Sequence, residues 1–323
     1  MKLEKIGFYT LEDSRAKNTS LDSPLWRCEL ILTGACNFRC LYCRGLKEEI
    51  NKTLSLSRAK EIVTLWAKDV LRNIRFSGGE PTIYKGIDEL VKLAKKLNVQ
   101  RIALSTNGSA DYEFYEYLHS CGVNDFSISL DSCCASTGDK MSGGIYGSWQ
   151  KVTTNIQKIS KLTYTTVGVV VTEENLSECI NTIKFADSLG VSDIRIIPSA
   201  QYNQLLNVLK EIPAKILDKH PILKYRVNNA KMGRHVRGIK ATDYHSCPLV
   251  IDDMAVAGDY HFPCIIYLRE QGNAIGKVGD NMRKERFEWF QKHDTYQDEI
   301  CRKNCLDVCL DYNNRVKEYG RLF

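Results

Sequence analysis

Apolar and polar positions alternate in blocks along the first 200 residues. LWRCELILT (25–33) is short, apolar and closed by turn residues, the pattern of a buried strand. LSRAKEIVTLWAKDV (56–70) places Ala59, Ile62, Val63, Trp66, Ala67 and Val70 at helical spacing, with Ser57 as N-cap. The two patterns then recur. Strands are predicted at 74–83, 101–108, 125–132, 163–172 and 192–200, and helices at 86–99, 111–122, 149–160 and 174–190. The stretch STGDKMSGGIYG reads as a glycine-rich loop.

Six strands separated by helices require parallel pairing, because each crossover returns in the same hand. The expected fold is therefore α/β, a partial (β/α)6 TIM-like barrel with a small cysteine-rich C-terminal domain. In such folds the chemistry collects at the carboxyl ends of the strands. The polar sequences of this chain fall there: a cysteine loop after the first strand, SGGEP at the second, STNG at the third, SLDS at the fourth, TEEN at the fifth and PSAQ at the sixth.

Beyond residue 204 the pattern changes. LLNVLKEIPAKILDKH (205–220) reads as helical up to Pro213. It is followed by a basic stretch with Lys224, Arg226, Lys231, Arg234, Arg237 and Lys240. Such a run is ordinarily a solvated face, and contact with an anionic substrate is the functional alternative. The resulting division is a lead-in (1–25), a barrel (26–203), a helical and basic connector (204–245) and a C-terminal domain (246–323).

Composition narrows the class. The hydrophobic fraction is 43% and the charged fraction 26%, values of an ordinary globular protein, and the net charge of +6 does not by itself name nucleic acid as partner. There is no apolar run of membrane-span length and no signal peptide, so a cytoplasmic protein is expected, with no membrane partner. Thirteen cysteines in a long chain without an export signal argue against a disulfide scaffold, and their clustering points to metal. Cys28, Cys121 and Cys179 are scattered and read as small buried hydrophobes.

The first cluster is CNFRCLYC, with Cys36, Cys40 and Cys43 inside eight residues. A cubane iron–sulfur cluster has four irons, each usually held by cysteine, so three thiolates leave one iron open. Structural zinc is normally closed by four ligands, and no fourth cysteine or histidine lies close by in sequence. The second cluster is Cys247, Cys264, Cys301, Cys305 and Cys309. CPLVIDDMAVAGDYHFPC reads as two short strands meeting at Gly258 and Asp259, a hairpin that would bring Cys247 and Cys264 together. If CRKNCLDVC is helical, Cys301 and Cys305 share a face. Spacing alone does not separate a four-thiolate zinc site from a cluster here.

CNFRCLYC after the first strand, with SGGEP at the second, resembles the radical S-adenosylmethionine (radical SAM) superfamily over residues 26–200. The C-terminal quarter resembles that superfamily's SPASM and Twitch auxiliary-cluster domains. The resemblance implies that Cys36, Cys40 and Cys43 hold a [4Fe–4S] cluster whose open iron binds S-adenosylmethionine. It also implies that Gly78, Gly79 and Glu80 meet the methionine amino group, and that Ser105, Thr106, Asn107, Ser129 and Asp131 contact the methionine and ribose parts, with Tyr42 by the adenine. Turn chemistry at strand ends and core packing are the structural alternatives for these residues. Glu173 and Asn175 are weaker candidates, since TEEN is also a helix-start sequence.

The implied activity is reductive cleavage of S-adenosylmethionine and hydrogen abstraction from a substrate carbon by a 5′-deoxyadenosyl radical. A flavodoxin- or ferredoxin-type protein would supply the electron, and an auxiliary [4Fe–4S] cluster on four of the five C-terminal cysteines would assist oxidation or crosslinking. CxxxCxxxC, with no cysteine after Cys309, departs from a full SPASM domain and fits one auxiliary cluster. Cys133 and Cys134, after the fourth strand, are candidate catalytic hydrogen donors, the role that epimerases of this superfamily give a cysteine. The substrate class is a peptide side chain or a small polar metabolite. No room precedes residue 26 for the leader-binding domain of many peptide-modifying relatives, which weakens the peptide option. A sugar or nucleotide dehydrogenase or epimerase is the alternative within the superfamily. A zinc-binding nucleic-acid or sensor module is the alternative outside it, and such a module has no need of SGGEP or of polar strand ends.

Overall fold

The structure is a computed structural model that describes residues 15–20 and 22–319; residues 1–14 and 21 of the expected lead-in lie outside the described residues. The strands are β1 (Arg27–Ile31), β2 (Asn73–Ser77), β3 (Arg101–Thr106), β4 (Asp125–Ser129), β5 (Tyr164–Val171), β6 (Asp193–Pro198), β7 (Asp253–Ala257), β8 (Tyr260–Phe262) and β9 (Gly276–Lys277). The helices used below are α1 (Leu56–Lys68), α2 (Ile87–Lys96), α3 (Tyr112–Cys121), α4 (Ala135–Met141), α5 (Ser148–Ile159), α6 (Cys179–Ser188), α7 (Pro221–Lys231), α8 (Ile265–Arg269), α9 (Met282–Lys292), α10 (Glu299–Asn304) and α11 (Asp307–Tyr319). Among the described residues no helix is long and apolar enough to cross a membrane.

The chain forms two compact units. One holds the described residues up to Ala35, Arg44–Ile102 and the described residues from Arg237 onward; the other holds Cys36–Cys43 and Ala103–Val236.

In the first unit β1 is paired on both sides in parallel, Leu30 facing Phe76 of β2 and Val256 of β7. All three side chains are fully buried, each stabilising the fold by about 1.5–3 kcal/mol. Helix α1 lays Ala59, Ile62, Val63 and Trp66 into this core, and its N-cap is Ser55, whose hydroxyl accepts from Arg58 N, rather than the expected Ser57. The expected hairpin is present, β7 and β8 pairing antiparallel around Gly258. Its first strand starts at Asp253, however, because Leu249–Asp252 forms a helical turn. Arg286 of α9 is buried behind the hairpin and donates to the carbonyls of Val250 (2.7 Å), Phe262 (2.9 Å) and Asp253.

In the second unit β3, β4, β5 and β6 are parallel, with Leu104 opposite Phe126, Ile128 opposite Val167 and Val169 opposite Ile196. These near-continuous apolar runs fit strands covered on both faces. Helix α7 begins with Pro221, and its first backbone N–H groups at Ile222 and Leu223 donate to the buried Asp193 carboxylate. Burial raises the Asp193 pKa to about 6 despite those hydrogen bonds.

Three expectations are corrected. The glycine-rich stretch contains α4, since Gly138 packs on the Trp149 indole of α5, where a Cβ would stand 2.2 Å from the ring. The helix expected from 205 up to Pro213 is instead a 3-10 turn at Asn207–Glu211, and a short helix, Ala214–Leu217, follows Pro213. The basic stretch is not a uniformly solvated face: Arg226 is 3% exposed and Arg237 8%.

Candidate active site

The cysteine loop has no regular secondary structure, and its thiols are graded in exposure: Cys36 and Cys40 are half-buried and Cys43 is exposed. A turn with Cys43 N donating to Cys40 O (3.0 Å) folds the loop back on itself. Burial pushes the Cys40 thiol up to about 12, and the neighbouring charges of Asp131, Cys43 and Cys36 act in the same direction. Phe38 N (3.4 Å) and Asn107 Nδ2 (3.9 Å) both point at Cys36 Sγ, the kind of donor contact that tunes cluster sulfur.

The pocket beside this loop brings together Cys40, Tyr42, Asn107, Ser129 and Asp131, with Trp149 of α5 also in its wall. Tyr42 donates to Asp131 Oδ2 (2.6 Å), and Val170 N donates to Oδ1 (2.8 Å). Asp131 is thus a braced wall residue. Burial raises its pKa to about 6, against the lowering effect of both hydrogen bonds. Asn107 is turned towards the cysteine loop by a hydrogen bond to Asn37 Oδ1 (2.8 Å). Ser129 is exposed and its hydroxyl is available to a ligand, whereas Thr106 is buried and shares a hydrogen bond with Tyr115 of α3 (3.0 Å). Ser105 lies within β3 opposite Ser127. The glycine-rich stretch also serves this loop. Gly143, at φ +97°, lies where a Cβ would stand 2.7 Å from Arg39, and Ser142 O accepts from Arg39 N (2.9 Å).

In the first unit Gly78, Gly79 and Glu80 follow β2. Their glycines meet the chain leaving β1: a Cβ on Gly79 would stand 2.1 Å from Ala35 O, and one on Gly78 would stand 2.5 Å from Thr33 O. Gly79 N and Glu80 N donate to Thr33 O (2.7 Å) and Ala35 O (2.8 Å), so the motif fixes the strand exit that launches Cys36. Glu80 is fully buried and caps its own turn, accepting from the backbone and hydroxyl of Thr82. Arg269 of α8 donates to Gly78 O (2.8 Å), a link that sequence reasoning missed because a helical arginine carries no local signal.

Cys133 and Cys134 do not line the pocket; their thiols face Glu178, at the start of α6. Asn175 holds the same loop, donating to Asp131 O (2.8 Å) and Val170 O (2.9 Å), while Glu173 is exposed.

The second cysteine group lines one pocket, with Cys247, Cys264, Cys301, Cys305 and Cys309 all on its wall. Helix α10 ends at Asn304, so Cys301 and Cys305 do not share one helical face; Cys301 lies in α10, Cys305 in the break and Cys309 in α11. Burial raises the Cys247 pKa to about 11, with the charge of Cys309 next. Burial likewise raises Cys264 and Cys301, and a hydrogen bond to Cys309 raises Cys305. Cys28, Cys121 and Cys179 are buried, as expected of small hydrophobes.

Tetrahedral zinc with 2.3 Å bonds holds its sulfurs about 3.8 Å apart. Among the described residues, neither cysteine group has three ligand atoms within 4.8 Å of one another. The cysteines of each group, at wider spacing, fit iron–sulfur clusters, the first with three and the second with four or more, while His293 and Asp298 also stand within 4.8 Å of Cys301.

Known proteins agree. The family model of the Radical SAM superfamily matches residues 30–186. The chain is 28% identical over 180 residues to a probable GTP 3′,8-cyclase of Saccharolobus solfataricus, covering 54% of this chain and 57% of that protein. It is 29% identical over 220 residues to GTP 3′,8-cyclase of Alkaliphilus metalliredigens, covering 63% and 67%. The chain thus spans little more than half the length of the first of these relatives. Among solved structures, anSMEcpe with bound S-adenosylmethionine superposes with TM-score 0.63 at 14% identity, covering 91% of this chain and 96% of that one. SuiB of Streptococcus suis, bound to its precursor peptide SuiA, gives 0.58 at 15%, covering 86% and 67%. These structures share the fold, a partial TIM-like barrel with a parallel sheet. Residues 30–186 of this chain match the radical SAM superfamily, whose members use a [4Fe–4S] cluster and S-adenosylmethionine.

Proposed function

We propose that this protein is an oxidoreductase that cleaves S-adenosylmethionine reductively and takes hydrogen from a peptide side chain, with a buried auxiliary cluster accepting the electron left on the substrate. The observation that carries this reading is the five-thiol pocket, which has enough sulfur to ligate every iron of a second cluster and so suits electron transfer. Residues 26–203 form the core, 204–245 the connector and 246–323 the auxiliary domain, and a flavodoxin- or ferredoxin-type protein is the reductant.

Cys36, Cys40 and Cys43 would hold three irons and leave the fourth for the amino and carboxylate groups of S-adenosylmethionine. The chemistry supplied there is one-electron cleavage of the sulfonium to a 5′-deoxyadenosyl radical. The protein's own residues hold the geometry. Gly79 and Glu80 anchor Ala35 ahead of the loop, and Asn107 steadies Cys36. Tyr42 and Asp131 form a wall already hydrogen-bonded to itself, and Ser129 offers a hydroxyl to the ligand. Cys133 and Cys134 take no hydrogen-donor role in this reading, because their thiols are engaged by Glu178.

A nucleotide substrate is the second reading, favoured by relatives named GTP 3′,8-cyclase at 26–29% identity. Anaerobic turnover decides between them. Cys40→Ala should abolish 5′-deoxyadenosine formation under dithionite; unchanged formation would overturn the site. Stimulation of 5′-deoxyadenosine release by a precursor peptide supports the first reading, and stimulation by GTP with its consumption supports the second.

A further inference from the structure

Outside both cysteine groups, one further set of metal-ligating side chains converges. Cys133, Cys134 and Glu178 bring their ligand atoms within 4.8 Å of one another, all half-buried. Cys134 Sγ lies 3.4 and 3.5 Å from the two Glu178 oxygens, and Cys133 Sγ lies 3.7 Å from Oε2. A tetrahedral ion with 2.3 Å sulfur bonds and about 2.1 Å oxygen bonds separates sulfur from oxygen by about 3.6 Å. The three side chains therefore already stand at the spacing of ligands around a single ion; the other such set among the described residues, His293, Asp298 and Cys301, shares a thiol with the second cysteine group.

The surroundings are built for it. Glu178 is oriented by hydroxyl donors, Ser132 Oγ at 2.7 Å on Oε2 and Thr137 Oγ1 at 2.5 Å on Oε1. Burial alone would raise the Glu178 pKa, and these hydrogen bonds with those from both thiols outweigh it and hold the carboxyl below its ordinary range. The Thr137 hydroxyl likewise lowers Cys134, while burial and the Glu178 charge raise Cys133. Cys134 is thus the thiol that ionises first.

We infer that Cys133, Cys134 and Glu178 form a separate site for one thiophilic divalent cation of the zinc class, completed by water. Binding forms two metal–sulfur bonds and one metal–oxygen bond, and the two thiol protons leave to solvent, with no change of oxidation state. Such an ion would pin α6 to the loop that follows Asp131 in the pocket wall.

The test uses the full chain with both clusters reconstituted anaerobically, zinc added and excess removed. One zinc per chain should remain, and the zinc-edge X-ray absorption spectrum should show two sulfur and two lighter neighbours. Cys133→Ser with Cys134→Ser should lose that zinc at unchanged iron content. Glu178→Gln, which keeps the side-chain shape, and Thr137→Ala, which removes an orienting donor, should each weaken binding by roughly 10-fold or more. Equal zinc in these variants, no retained zinc in the parent protein, four sulfurs around the zinc, or a mass deficit of two hydrogens from a Cys133–Cys134 disulfide would each overturn the site.

Discussion

The two cysteine groups solve opposite problems. The three-thiol loop keeps Cys43 exposed and sets Cys40 beside an open pocket lined by Tyr42, Asn107 and Asp131. The five-thiol group gathers around its own pocket, where burial raises the Cys247, Cys264 and Cys301 thiols, as it does Cys40 in the first group. In the proposed reading, one arrangement would leave a metal face for a ligand, and the other would hold its metal by protein thiols throughout. On that reading, ligand count and access together would separate a reactive cluster from an electron-carrying one.

The sharpest way to break the comparison is to disable the enclosed group. Cys247→Ala with Cys264→Ala should remove about half the iron and stop substrate turnover, while 5′-deoxyadenosine formation from S-adenosylmethionine alone persists. Loss of both activities would show that the groups are not independent.

A second difference is acid sensitivity. His261 of β8 is fully buried between Glu285 (2.9 Å) and Arg286 (3.3 Å), and burial, then the Arg286 charge, lowers its pKa to about 4. Its folded pKa lies below its unfolded value near 6.5, so this contribution is present above pH 6.5 and is lost as pH falls through 4. The loss is on the order of 3 kcal/mol, and acid unfolding followed by circular dichroism should be shallower over that window in His261→Gln than in the parent.

The three-thiol loop depends instead on the chain at Ala35. Gly79→Ala, which drives a methyl onto Ala35 O, should cost about 1–3 kcal/mol in the urea midpoint and lower iron retention at the first site. Tyr42→Phe deletes only the hydrogen bond to Asp131. It should cost about 1 kcal/mol, weaken S-adenosylmethionine binding, and raise the Asp131 pKa further because that bond lowers it.

Much of this was legible in the sequence. Strand and helix alternation over 25–200 is carried by local periodicity, and so are the polar strand ends, including Asn107, Ser129 and Asp131 at the pocket. What periodicity cannot show is pairing over distance. The parallel pairing of β7 with β1 joins residues more than two hundred positions apart, and the Arg269 contact to Gly78 O spans 191. Glycines also mislead. Gly138 reads as a loop residue yet sits in a helix, where the Trp149 indole occupies the place of a Cβ, and the close approach of Ala35 O to Gly79 leaves no local signal. The grouping of Cys133 and Cys134 with Glu178 needed the fold that brings 178 back to 133.

The most direct test is electron paramagnetic resonance of the dithionite-reduced protein with and without S-adenosylmethionine, in the parent, Cys40→Ala and Cys264→Ala. The account predicts that S-adenosylmethionine alters the cluster signal in the parent and in Cys264→Ala, and leaves the signal that remains in Cys40→Ala unchanged. A signal indifferent to S-adenosylmethionine in the parent, or one that responds in Cys40→Ala, would contradict it.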